Sequence, residues 1–201
     1  LMIAPTLERG LTLHLEGKIG SWPYITMTLS LMEHFGVKAS VAGNKINVAP
    51  QSYQSNDYTI ESDWSGASYW YSLMALAEDG SLILPGLRSS SFQGDQVIAE
   101  MMVHLGVESK FEQGQVLISG SSHQSSATLD FTQCPDLAQT VAVAAAAKGV
   151  EVKMTGLESL RIKETDRIAA LQNELQKIGA DLVEEGSTWH LLPSKKLPEQ
   201  V

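Results

Sequence analysis

The sequence contains a single cysteine, Cys134, so no disulfide can form within the chain, and His and Cys nowhere fall at the spacings of a zinc site. That pattern fits a reducing, cytoplasmic compartment and argues against a structural zinc. No apolar run approaches the roughly 20 residues a membrane-spanning helix needs, and the N-terminus lacks the basic-then-apolar pattern of a secretion signal. Basic residues are the scarcer sign. With 14 Lys and Arg against 23 Asp and Glu, the net charge of -9 is unsuited to collecting nucleic-acid phosphates. Any phosphate must therefore be met by a few local cations. What remains, 43% hydrophobic and 18% charged residues over 201 positions, is enough to bury a core as one large domain or two smaller ones. The chain opens on LMIAP and closes on LPSKKLPEQV, and both ends read as the interior of a longer protein.

Internal repetition organises the chain. LMEHFGVKASVAGNKINVA, EMMVHLGVESKFEQGQVLIS and ELQKIGADLVEEGSTWHLL each read as a helix end, a glycine and two strands, with Gly36, Gly106 and Gly179 spaced by 70 and 73 residues. Upstream of each, a strand stops at another glycine: LTLHLEG, SLILPG and VEVKMTG, with Gly17, Gly86 and Gly156 spaced by 69 and 70. TIESDWSGASYWYSLMALAEDG adds a strand and a helix to the second copy, with Asp63 or Ser65 as the cap. ATLDFTQCPDLAQTVAVAAAAKGV does the same for the third, with Pro135 in a first helical turn and Gly149 closing a helix apolar enough all round to be buried. The full unit is strand, helix, strand, helix, strand, strand; the first copy lacks its front half. Residues 57–201 are then expected to form one body of two full units and residues 1–56 part of another. The polar stretch APQSYQSNDY is the expected hinge, and a ligand cleft is expected between the bodies.

Seven positions beyond the strand-ending glycines stand Tyr24, Gln93 and Lys163. Ser21, two residues before Pro23, has the position of a helix cap, where its hydroxyl and the helix amides make a small anion site. Asp136 follows Pro135 in a first turn. Capping by Ser21, packing by Tyr24 and a favourable helix-start charge for Asp136 are structural readings that stand beside functional ones. RIKETDRIAALQNELQKIGA, residues 161–180, is less easily reduced to structure. Ile168, Leu171, Leu175 and Ile178 form the apolar face of a helix, and its start holds Arg161, Lys163, Glu164, Asp166 and Arg167. Read as helical, Lys163 and Arg167 share a face at four-residue spacing, with Glu164 beside them. Two cations against the helix dipole next to a carboxylate suit an anionic ligand and a proton transfer, although a solvated charged start is the competing reading.

RIKETDR, CPDLAQT, GSWPYITMTLSLM, SDWSGASYW and SFQGD resemble segments of the 5-enolpyruvylshikimate-3-phosphate synthase family, in order and over almost the whole chain. Members are roughly twice this size, so the resemblance covers about their middle half. It implies an α/β fold of two lobes, each an inside-out barrel of three βαβαββ units. On that basis residues 1–56 are part of the N-terminal lobe and 57–201 most of the C-terminal lobe. It implies transfer of the carboxyvinyl group of phosphoenolpyruvate to the 5-hydroxyl of shikimate 3-phosphate, with no metal or organic cofactor and the remainder of the polypeptide as the missing partner. Carried over by position, Asp136 holds the 5-hydroxyl and accepts its proton. Lys163 contacts that hydroxyl and the reacting centre, and Glu164 exchanges a proton with the methylene carbon. Arg167 grips phosphoenolpyruvate, Ser21 the phosphate of shikimate 3-phosphate, and Tyr24 lines the same pocket. Two positions depart from the family pattern: Trp22 replaces a common basic residue and Ser159 a common asparagine. The UDP-N-acetylglucosamine enolpyruvyl transferases share the architecture, but RIKETDR favours the shikimate enzymes. A non-catalytic anion-binding module is the alternative from another class.

Overall fold

The computed structural model describes residues 1–17, 19–20 and 22–194. They form two compact units that divide between Ile60 and Glu61. The first unit runs β1 (Leu11–His14), α1 (Trp22–His34), β2 (Ser40–Ala42) and β3 (Lys45–Val48), and its three strands form an antiparallel sheet in the order β1-β3-β2. Met32 from α1 and Val37, Ile46 and Val48 bury a small core, with Trp22, Ile25 and Leu29 packed against it.

The polar stretch after β3 has no regular structure, as its composition suggests, but it is fastened to the first unit. The Gln51 side chain accepts from Lys38 N–H at 2.9 Å and donates to Lys38 C=O at 2.8 Å. Gln54 N–H donates to Phe35 C=O at 2.8 Å, and the Asn56 amide to His34 C=O at 3.2 Å. Amide groups here satisfy carbonyls left open at the end of α1. The unit boundary accordingly falls at 60/61, past the expected hinge.

The second unit continues with α2 (Trp64–Leu76), β4 (Ser81–Pro85), α3 (Ile98–Met101), β5 (Val107–Glu112), β6 (Gln115–Gly120), β7 (Ser126–Asp130), α4 (Ala138–Lys148), β8 (Glu151–Thr155), α5 (Arg167–Lys177), β9 (Asp181–Glu185) and β10 (Thr188–Leu192). Its sheets are β4-β6-β5 and β7-β8-β10-β9. In all three repeats the strand before the glycine pairs antiparallel with the last strand of the unit, which pairs in turn with the strand between them. The last copy is complete, because β7 lies parallel beside β8 and α4 crosses over between them.

The middle copy departs from the expectation twice. No strand forms before α2: Ser62 reaches the end of β4 through Ser62 N–H to Gly86 C=O at 2.9 Å and Ser62 Oγ to Pro85 C=O at 2.9 Å. The acids on either side take local work instead. Glu61 accepts from Trp64 Nε1, Arg88 N–H and Ser91 Oγ, and Asp63 caps α2 by accepting from Ser65 N–H at 3.0 Å. Side-chain bonds of this kind compete with a ladder. The helix between β4 and β5 is a single α-turn flanked by the 3₁₀ turns Gly94–Val97 and Met102–Leu105.

One core joins both copies of the second unit, with Trp64, Tyr71, Ile118, Phe131 and Trp189 fully buried in it. α4 is buried along most of its surface, but not all round: Val143 is 44% exposed. Gly156 after β8 shows why a strand-ending glycine recurs. Its φ is +78°, and a Cβ there would lie 2.2 Å from Thr132 N, in the turn that follows β7.

Candidate active site

Parallel neighbours deliver their following loops to the same end of a sheet, and β7 and β8 do so here. At that end Asp130 Oδ1 accepts from Thr132 N–H at 2.9 Å, Thr132 Oγ at 2.6 Å and Thr155 Oγ at 3.2 Å, tying the two strand ends together. Beyond β7 the chain makes the 3₁₀ turn Pro135–Leu137, which presents Asp136 before α4 begins. Beyond β8 comes a 3₁₀ turn, Glu158–Ile162, and then Lys163 with extended backbone.

Residues 163–166 are therefore not the first turn of a helix. α5 starts at Arg167 because Asp166 is its N-cap, accepting from Ala169 N–H at 3.0 Å. The argument that Lys163 and Arg167 share a helix face fails, but the two side chains still converge, on a third residue. Lys163 Nζ lies 3.3 Å and Arg167 Nη1 2.9 Å from the same Asp136 Oδ1. The other side of the Arg167 fork takes Glu164, with Nε donating to Oε1 at 2.9 Å and Nη2 to Oε2 at 3.0 Å. Arg161 turns away to Asp166 and Glu184. So of the five charges in RIKETDR, Asp166 and Arg161 serve the helix start and the neighbouring strand, Lys163 and Arg167 meet on Asp136, and Glu164 pairs with Arg167.

Exposure grades this group. Asp136 and Arg167 side chains are each 25% exposed, Lys163 31% and Glu164 65%. A backbone hydrogen bond and then the Arg167 guanidinium hold the Glu164 carboxyl below its ordinary value, so it is a carboxylate at neutral pH. Glu164 and Asp136, in the opposite sense, keep Arg167 more firmly protonated than usual. A groove of about 640 Å³ between α2, α4 and α5 runs from this cluster. Its polar part includes Ser65, Asp136, Glu164 and Arg167, and its apolar part Leu76, Val143 and Leu171.

The other sequence candidates lie elsewhere. Tyr24 is in the first turn of α1, in the first unit, and is 45% exposed. Ser21 falls outside the described residues. Trp22 packs against the first unit's core, and Ser159 sits half-buried in the 3₁₀ turn before Lys163.

The sequence profile of the family described as EPSP synthase (3-phosphoshikimate 1-carboxyvinyltransferase) matches residues 1–200. The chain belongs to the EPSP synthase family. A 3-phosphoshikimate 1-carboxyvinyltransferase of Bacteroides fragilis is 46% identical to it over 181 residues, which cover 89% of this chain and 44% of that protein. One from Methanothermobacter thermautotrophicus is 34% identical over 184 residues, covering 92% and 44%. The chain thus spans less than half the length of these EPSP synthase relatives. In fold it is similar to the EPSP synthase of Acinetobacter baumannii, with a TM-score of 0.68 at 19% identity over 97% of this chain and 45% of that one. The architecture is α/β, a partial inside-out barrel of βαβαββ repeats, in keeping with the EPSP synthase fold. Two polar side chains are not among the sequence candidates for the site: Ser65, read there only as a possible cap of α2, lines the groove, and Asp95, which SFQGD marks only as a loop acid, is buried.

Proposed function

We propose that this chain supplies part of the active site of an enzyme that transfers the carboxyvinyl group of phosphoenolpyruvate to the 5-hydroxyl of shikimate 3-phosphate, releasing phosphate, on the route to aromatic amino acids. The observation that carries the reading is the convergence of Lys163 and Arg167 on Asp136, with Glu164 on the outer side of the Arg167 fork.

The reaction adds a proton to the methylene carbon and the hydroxyl oxygen to the neighbouring carbon, then eliminates phosphate with loss of a proton from the new methyl group. Asp136 accepts the hydroxyl proton as the oxygen attacks. Lys163, beside the same carboxylate, holds the hydroxyl and stabilises negative charge near the reacting centre. Arg167 grips phosphoenolpyruvate, for which its planar fork is well shaped. Glu164 and Asp136 engage that fork, so an arriving anion competes with Glu164 for it. A Glu164 freed from Arg167 regains proton affinity and can both give a proton to the methylene carbon and take one back. Ser21 and Tyr24 are assigned to shikimate 3-phosphate.

Two substrates with several negative charges need more cations than Lys163 and Arg167. We assign the rest of the clamp to polypeptide beyond this chain, since the chain matches 44% of the length of the relatives. The proposal places the protein in the cytoplasm, where its lone cysteine would stay reduced, with small-molecule substrates and no nucleic-acid or membrane partner. No helix among the described residues is long and apolar enough to cross a membrane.

The test is an NMR titration of the isotope-labelled chain with each substrate up to millimolar concentration. Phosphoenolpyruvate is expected to shift Arg167 and Glu164 signals, and shikimate 3-phosphate those around Asp136 and Lys163. Unmoved signals at all four residues with both ligands would refute the assignment.

A further inference from the structure

Between Leu160 and Ile168, both fully buried, the chain has no apolar anchor. Residues 161–166 are exposed, and the one apolar side chain among them, Ile162, is 85% exposed. Backbone that places no side chain in the core and joins no regular element is ordinarily mobile, and ordering it costs conformational entropy. Lys163 and Glu164 sit on this segment, yet a proton carrier works only when it is held in position. Polar ties must do what packing does not.

Those ties form two sets. One faces the cluster, with Lys163 and Arg167 on Asp136 and Glu164 on Arg167. These are the groups an arriving substrate engages, so they cannot also hold the segment still while it reacts. The other set faces away. Asp166 divides its carboxylate, Oδ1 accepting from Ala169 N–H at 3.0 Å and Oδ2 from Arg161 Nη1 at 3.4 Å. Arg161 Nη2 donates to Glu184 in β9, and Glu184 is fixed by its place in the sheet, opposite the buried Trp189 of β10. One guanidinium thus joins the start of the segment to its end, and both to the sheet. The span without a tie of this kind shrinks from the seven residues between Leu160 and Ile168 to the four from Ile162 to Thr165.

Stability gives little reason for the arrangement. The Arg161, Asp166 and Glu184 side chains are 38%, 42% and 40% exposed, and ion pairs so open to water contribute little to folding. What a planar fork with two carboxylates does supply is direction. Resting on the function proposed above, we infer that Arg161 is a positioning residue: by clipping Asp166 to Glu184 it presents Lys163 and Glu164 to Asp136 and Arg167 without touching substrate itself.

The experiment follows the Glu164 carboxyl by carbon-detected NMR titration, together with the amides of residues 162–165, shikimate 3-phosphate affinity and the urea midpoint. Arg161→Gln and Glu184→Gln are compared with Lys177→Gln, which removes an equally exposed pair with Glu174 on α5. Glu164 is held below its ordinary value by a backbone hydrogen bond and by Arg167, so a loosened segment lets it rise. Glu184→Gln is the sharper variant, because deleting a negative charge would by itself push Glu164 lower. Both variants are expected to raise Glu164 and to broaden or shift the 162–165 amides. Shikimate 3-phosphate is expected to bind about fivefold more weakly as Lys163 loses its place, the factor to which an exposed ion pair at the top of its usual range converts. The urea midpoint is expected to move no further than in Lys177→Gln, which leaves Glu164 and the affinity unchanged. Arg161→Lys, with the charge but not the fork, is expected to fall between wild type and Arg161→Gln. Should Arg161→Gln fail to fold, Glu184→Gln decides in the same terms. Glu164 unmoved or lowered in Glu184→Gln, with the 162–165 amides in place, would overturn the inference and leave the proposed function standing. A midpoint far below that of Lys177→Gln in both variants would also overturn it, by showing a role in the fold alone. A wild-type chain that takes no shikimate 3-phosphate would remove the substrate assignment, while the Glu164 titration would still decide whether Arg161 holds the segment.

Discussion

At the scale of single residues, the Arg167 fork bridges the two carboxylates on which proton transfer is proposed to depend. Arg167→Ala is expected to let the Glu164 carboxyl titrate closer to its ordinary value, which a carbon-detected NMR titration reads directly. An unmoved titration would mean that the backbone bond alone sets Glu164. Asp95 has the opposite sense. Its folded-state carboxyl lies above the ordinary value, so the folded chain binds the extra proton. The stabilising contribution is present at pH below the unfolded value and disappears as pH rises through the folded one. Asp95→Asn is therefore expected to raise the urea midpoint at pH 7 and to bring little gain at pH 3. Cys134 gives a third residue-scale outcome. Burial first, and then the nearby Asp95, Asp130 and Asp136, push its thiol to about 12. It is 2% exposed, so native protein at pH 8 is expected to resist a thiol reagent that labels it at once in denaturant. Rapid native labelling would show that the turn after β7 opens readily.

At the scale of elements, the recurring glycines made the repeat legible, because Gly86, Gly106 and Gly156 are backbone requirements that no other residue meets cheaply. Gly156→Ala is expected to cost more than about 1–3 kcal/mol, the usual range for backbone strain, since strain at φ +78° is joined by a clash with the Thr132 backbone. Chemical denaturation measures it, and a loss below about 0.5 kcal/mol would mean the turn can shift. Legibility fell where side chains compete with the backbone. Glu61 and Asp63 sit in a stretch whose pattern suits a strand, yet their carboxylates bond to Trp64, Ser65, Arg88 and Ser91 instead. Asp166 likewise ends the apparent helix start by capping it, so Lys163 and Arg167 share no helix face, and the two side chains come together only through Asp136. Their meeting point, Asp136, is 31 residues from Arg167 in sequence, and its nearness follows from the parallel pairing of β7 with β8.

At the scale of the whole molecule, the resemblance in RIKETDR and CPDLAQT fixed the family, and the family profile agrees over residues 1–200. Burial is a property of the assembled fold, which is why Asp95 was invisible as anything but a loop acid. The 201-residue chain alone is expected to give structured spectra and no measurable phosphate release, because bringing two bound substrates together can account for roughly 7–11 kcal/mol of a lowered barrier and half a clamp forfeits much of it. The most direct test of the central claim restores that clamp. The part of this chain that aligns with the 46% identical Bacteroides fragilis relative replaces the matched 181-residue segment of that protein, and phosphate release from phosphoenolpyruvate and shikimate 3-phosphate is measured on the purified chimera. The expected result is turnover that falls about 10²–10⁴-fold in Lys163→Ala and in Glu164→Gln, the range for loss of a positioned proton carrier. A folded chimera without turnover, or one whose kcat is unchanged by both substitutions, would contradict the account.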